Sequence, residues 1–211
     1  MSRFDDVGVG DGRWDETLLD LKIRSMLKIP KQYEALKLIS SIFWSSIFDD
    51  WRRMEASQPS WKEHWEKRGF SSWDEWRNDY IGPFRPASLT WFLYKIKDPV
   101  NVLPLFYGVP SKTWIRMAYE GETTKQLKEI LEAPVVCENP KIFGIGKNFP
   151  RKTMLTGVLH EDRIVLVEGM HRACVLAGWG KNKPFEGEVL IALALWNEKD
   201  LPVIGGNQKN K

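Results

Sequence analysis

The stretch Arg163-Ile-Val-Leu-Val-Glu-Gly-Met-His-Arg-Ala-Cys-Val-Leu-Ala177 decides the fold. Its first part, Ile164 to Val167, is an unbroken apolar run of the kind buried on both faces of a sheet. Gly169 then permits a sharp turn, and residues 170–177 are good helix sequence that stops at Gly178. The expected local order is strand, tight turn, helix. Working upstream, residues 160–163 form a polar turn and residues 153–159 a strand, so the two strands make a hairpin. Downstream, residues 188–196 with Val189, Leu190, Ile191, Leu193 and Leu195 read as a closing strand. This order predicts an α+β sheet with a helix packed on it.

The junction of strand and helix carries the candidate chemistry. A helix start leaves backbone N–H groups without intrahelical partners, and the macrodipole adds roughly half a positive charge there. Beside them stand the imidazole of His171 and the guanidinium of Arg172, which can grip two phosphate oxygens at once. An arginine at that position is repelled by the dipole unless an anion is present. Gly169, His171 and Arg172 are thus predicted to bind phosphate or a nucleotide; the plainer alternative is a surface helix on which His171 and Arg172 cap and pair. Lys147, Arg151 and Lys152, just before the hairpin, either close over a polyphosphate or lie in a solvated loop. Gly144-Ile-Gly-Lys147 lacks the spacing and the following Ser/Thr of a phosphate loop.

The N-terminal part reads as helices. Eight of the eleven tryptophans precede residue 100. Residues 1–13 are rich in glycine and charge and are expected to be flexible. A helix is expected from Asp15 to before Pro30, and a longer one over 31–56 with Leu36, Ile39, Phe43, Ile47 and Trp51 on one stripe. Ser60-Trp-Lys-Glu63 and Ser72-Trp-Asp-Glu75 have the form of capping boxes. Trp61 and Trp65 share a face, as do Trp73 and Trp76, and basic residues follow each pair. Packing against the core is the favoured use of these rings, and an aromatic groove for a protein partner the alternative. Further along, residues 89–96 read as a strand, 102–107 as a second short strand and 123–133 as an amphipathic helix. The expected organisation is a flexible start (1–13), a tryptophan-rich helical region (14–82), a sheet-bearing domain (83–201) and a flexible tail (202–211).

Composition narrows the function classes. With 211 residues, 43% apolar and 28% charged, the chain is an ordinary globular protein, and 31 Lys and Arg against 28 Asp and Glu do not advertise a duplex-DNA binder. Residues 1–81 hold 13 basic and 15 acidic side chains, so positive charge is concentrated in the remainder, with the anion site. Two cysteines are too few for a disulfide framework and the first residues lack a secretory pattern, which predicts a cytoplasmic protein. The longest apolar stretch, 35–48, is interrupted by Lys37 and serines and falls short of the ~20 residues of a membrane span. His171 and Cys174 could share a metal, but only His64, His160 and Cys137 remain as further His or Cys ligands, so no metal site is predicted. Magnesium could arrive with a nucleotide.

The segment 163–177 resembles the signature of the ParB/sulfiredoxin-like superfamily, in which a strand leads into a Gly-X-His-Arg or Gly-X-X-Arg turn and a helix. The resemblance spans residues 153–196, and Arg85-Pro-Ala-Ser88 is similar to an Arg-Pro element of sulfiredoxins. It implies a mixed sheet with packed helices and a nucleotide (ATP, ADP or CTP, with magnesium) or phosphorylated small molecule as ligand. Sulfiredoxins carry a reactive cysteine where this chain has Met170, and a thioether cannot replace a thiolate. Sulfinic-acid reduction is therefore not expected, and Cys174 reads as a small buried residue. Free serine kinases of the superfamily carry Asp-Gly-His-His-Arg, to which Glu168-Gly-Met-His-Arg172 is similar except at Met170. That likeness implies phosphate binding around Gly169, Met170, His171 and Arg172, with Glu168 as the candidate catalytic acid–base or orienting residue. The reaction class, if the chain is an enzyme, is phosphoryl transfer or nucleotide hydrolysis. Chromosome-partitioning members add a helix-turn-helix domain, of which no sign follows the last strand. A non-catalytic protein-binding scaffold and a nucleic-acid-associated ParB-like protein are the alternatives.

Overall fold

Glu161 takes a left-handed turn (φ 55°) between two strands that pair through His160 and Arg163, and this hairpin forms one side of the sheet. A computed structural model describes residues 27–180 and 185–209. The strands are β1 (Leu36–Ile42), β2 (Trp91–Ile96), β3 (Lys152–His160), β4 (Arg163–Glu168) and β5 (Glu188–Trp196). They form one sheet of order β1-β2-β5-β3-β4, antiparallel except between β3 and β5. The parallel pair requires a crossover, which the helix after β4 provides. Ile164 to Val167 are buried, as their unbroken apolar run predicts. At Gly157, where the β3–β4 register shifts, a Cβ would stand 2.8 Å from the Val165 carbonyl oxygen.

Among the described residues the helices are α1 (Trp44–Glu55), α2 (Pro59–Glu66), α3 (Trp73–Ile81), α4 (Pro99–Val102), α5 (Lys112–Ala118), α6 (Leu127–Ile130), α7 (Pro134–Cys137), α8 (Pro140–Lys147) and α9 (Met170–Ala177). The chain is therefore mixed α+β. No described helix is long and apolar enough to cross a membrane. Ser72 accepts from the Glu75 backbone N–H at 3.1 Å, as its capping signature predicts, while Glu75 accepts from the neighbouring Ser71 N–H at 2.8 Å. At the other signature Gln58 is the N-cap and Pro59 opens the helix, so Ser60 lies inside it.

Three of the expected elements differ. The helix expected over 31–56 is a 3-10 turn at Lys31–Tyr33, then β1, then α1. Its apolar residues fit both periods, and pairing with β2 prevails: Leu36, Ile47 and Trp51 are buried, but Ile39 is 52% and Phe43 82% exposed. Residues 102–107 form the end of α4 and a 3-10 turn at Leu103–Leu105, because Asp98-Pro99 starts a helix: Asp98 accepts from the Asn101 N–H at 3.4 Å. Tyr107 alone pairs with the β4 edge, its N–H donating to the Ile164 carbonyl at 2.8 Å. The helix over 123–133 contracts to α6, capped by Gln126 and Glu129. The expected flexible start, and nearly all of the helix before Pro30, lie outside the described residues.

The boundary expected at residue 82 separates no second core. β1, from the tryptophan-rich part, completes the sheet of the other part, and the Trp51 indole N–H donates to Thr156 of β3 at 3.0 Å. One apolar cluster contains Trp51, Trp73 and Trp76 together with the β3, β4 and β5 side chains. The expected flexible tail is also tied down over 203–209. Ile204 is buried, its backbone exchanges bonds with Pro110 and Lys112 at 2.9 and 3.0 Å, and the Lys209 N–H reaches the Arg68 carbonyl at 3.0 Å. A single buried isoleucine supplies the anchor that the polar composition of the tail concealed.

Candidate functional site

Gly169 is where the backbone geometry of the site is set. It lies at φ 91°, and a Cβ there would stand 2.4 Å from Leu155 Cδ2. Only glycine combines that dihedral with that close approach. It is also the N-cap of α9 and offers no side-chain cap to the first helical N–H groups. Met170 is buried, and its Cε would lie 2.9 Å from a Cβ on Gly108. Its role here is packing at the wall of the site.

Glu168 and Arg172 flank this turn and are joined: Arg172 Nη2 donates to Glu168 Oε2 at 2.6 Å, and Nη1 donates to Thr153 Oγ1 at 2.6 Å. Their side chains are 12% and 11% exposed. The arginine that the helix dipole repels is thus held by a carboxylate one turn back and by a buried hydroxyl. His171 lies against the Trp114 ring with centroids 5.8 Å apart. Burial, then the cations Lys141 and Arg172, push its pKa down to about 4, against the opposing pull of Glu168. At neutral pH it is an uncharged donor and acceptor rather than a cation.

In front of Gly169 opens a cavity of about 820 Å³, lined by Glu168, Gly169, Met170, His171 and Arg172 on one side. The opposite wall comes from the tryptophan-rich helices through Glu55, Trp61, His64, Arg68, Trp76, Arg77 and Tyr80. Lys141 of α8, Trp114 of α5 and Gly205, Gly206 and Asn207 of the C-terminal segment complete it. The aromatic helices therefore face the signature turn across a shared space.

The charges on this wall do not cancel. Arg77 is buried and donates through Nε to Glu55 Oε2 at 2.8 Å, with Nη2 on Oε1; Trp73 Nε1 donates to Oε2 at 3.1 Å. Its guanidinium stands 4.7 Å over the Trp76 ring and 5.0 Å over Tyr80. Glu55 thus matches Arg77, and Glu168 matches Arg172. Arg68 and Lys141 make no salt bridge among the described residues, although Lys141 senses Glu55 and Glu168 electrostatically. Arg68 Nη1 lies 3.3 Å from His64 Nδ1, and Lys141 Nζ stands 4.3 Å over the Trp61 ring. Burial, then Arg68, Arg77 and Lys141, hold His64 at about pKa 4, so it adds no charge. Burial likewise lowers the pKa of Lys141. Trp76, 2% exposed, has a buried indole N–H without a hydrogen-bond partner among the described residues.

The other residues singled out in the sequence lie elsewhere. Lys147, Arg151 and Lys152 are exposed and none lines the cavity; Lys152 Nζ is 3.1 Å from Glu188. Gly144 to Lys147 are helical residues of α8, so no phosphate loop exists there. The lysine of that helix at the cavity is Lys141, one turn and a half earlier. Arg85 pairs with Glu198, away from the cavity. Cys174 is buried and its thiol is pushed up to about 12 by burial, which leaves it without thiolate reactivity at neutral pH. Among the described residues no three His, Cys, Asp or Glu converge to hold a metal. Reading the sequence missed Arg68, Arg77, Glu55 and Lys141; the basic residues after each tryptophan pair were the available signal. The chain matches no protein-family model, no curated protein and no solved structure.

Proposed function

We propose that the cavity in front of Gly169 binds an anionic small molecule, a nucleotide or a phosphorylated metabolite. The observation that carries this reading is the pair Arg68 and Lys141, cations that make no salt bridge among the described residues and line the same cavity as an uncapped helix start. An anion placed between them meets positive charge on both sides, and directional donors from the α9 N–H groups and Arg172. A volume of about 820 Å³ suits such a ligand, since small-molecule sites span about 300–1,000 Å³. The order of strand, glycine turn and helix, with β5 returning parallel to β3, supports placing the domain in the ParB/sulfiredoxin-like superfamily.

Phosphoryl transfer or nucleotide hydrolysis is the reaction we attach to this site, with Glu168 orienting or accepting from a ligand hydroxyl and magnesium arriving with the nucleotide. The setting we propose is the cytoplasm. Trp73 and Trp76 are buried, which favours the cavity over an exposed aromatic face for a protein partner. A thermal-shift panel of ADP, ATP, CTP and pyrophosphate tests the reading. A ligand at one hundred times its Kd stabilises by about 2.7 kcal/mol. A shift that Lys141→Ala and Arg68→Ala each reduce supports it, and unmoved melting with every anion overturns it.

A further inference from the structure

Resting on the anion-site reading, we infer that Glu168 is a resident substitute for the ligand's anionic group: a bound phosphate takes over Arg172, and Glu168 is released into the cavity. Both members of the pair line the cavity, so a ligand can reach them without opening the core. The guanidinium is anchored independently of the carboxylate, because Nη1 donates to the buried Thr153 hydroxyl at 2.6 Å. Arg172 can therefore stay in place while the acceptor at Nη2 changes. Thr153 is then a positioning residue.

The exchange is electrostatically reasonable on both sides. A phosphate at Arg172 also gains the α9 N–H groups and the unpaired Lys141, none of which Glu168 is bonded to. The displaced carboxylate is not stranded, since Arg77 already interacts electrostatically with it. The pair satisfies an arginine that would otherwise be buried, without a counter-charge and opposed by the helix dipole. Glu168 is consequently free to meet a ligand hydroxyl only after an anion has arrived.

The probe is inorganic pyrophosphate, titrated calorimetrically into the full chain and into Glu168→Gln. Glutamine keeps the shape and a neutral acceptor for Arg172 but competes less well than a carboxylate. The expected result is binding tighter by about tenfold, the order of one charge-assisted hydrogen bond. Glu168→Asp, which keeps the charge on a shorter stem, is expected to stay within about threefold of the parent, and it serves where Glu168→Gln folds poorly. Thr153→Val is expected to weaken binding by releasing the guanidinium. Parent binding that is unchanged or weaker in a folded Glu168→Gln overturns the exchange and leaves the anion site standing. Binding to Glu168→Gln but not to the parent supports the exchange. Pyrophosphate that binds neither protein overturns the anion site, and the exchange with it.

Discussion

Lys141 of α8 stands 4.3 Å over the ring of Trp61 in α2, and this contact joins the two halves of the cavity wall. Lys141 is exposed and Trp61 half-buried, and a cation–π contact at such a surface site is worth about 0.5–1 kcal/mol, so the fold hardly depends on it. Lys141→Ala should therefore leave the urea midpoint almost unchanged while weakening nucleotide binding by about tenfold. Paired calorimetry and denaturation separate the two effects.

Arg77 and Glu55 behave oppositely. Both are buried, and Arg77 is ringed by Trp51, Trp61, Trp76 and Tyr80. Arg77→Ala strands a buried carboxylate, and the expected loss is about 3–5 kcal/mol by urea unfolding. The double variant Arg77→Leu with Glu55→Leu should lose markedly less, because neither charge is left alone. Equal losses in the two would contradict a buried pair.

Gly169→Ala places a side chain at φ 91° and against Leu155. Such a dihedral alone costs roughly 1–3 kcal/mol in a non-glycine residue, and the collision adds to it. The melting temperature should drop, whereas Gly144→Ala, where a Cβ meets nothing within 4 Å, should be neutral or slightly stabilising.

His64 and His171 both have folded pKa values near 4, below the ordinary value of 6.5. Between those pH values the unfolded chain binds more protons than the folded one. Stability is then fully present above about pH 6.5 and is lost as pH falls toward about 4. Denaturation midpoints from pH 7 to pH 4.5 check this, and His171→Gln should flatten the decline. A midpoint that rises on acidification would contradict buried, neutral imidazoles.

Residues 153–178 were legible because two local signals agree there: an unbroken apolar run marks a buried strand, and glycines at 169 and 178 bracket the helix. Residues 31–56 misled because Leu36, Ile47 and Trp51 fit a helical stripe, although the 36–42 segment pairs with a strand about fifty to sixty residues away. The docking of Ile204 beside Ser111 is equally non-local. At the candidate site, Gly169 to Arg172 announce themselves as a contiguous motif. Arg68 comes from the turn after α2, upstream of every strand but β1, and Lys141 from α8, and beyond the basic residues that follow the tryptophan pairs no local motif points to Gly169. Charge balance at a cavity wall exists only after folding.

ADP titrated into the full chain at low salt shows whether this cavity is built for an anion. We expect saturable one-to-one binding that falls steeply in the Arg68→Ala, Lys141→Ala double variant and weakens as salt is raised. Identical heats for the parent protein and the double variant, or no heat from either, would contradict it.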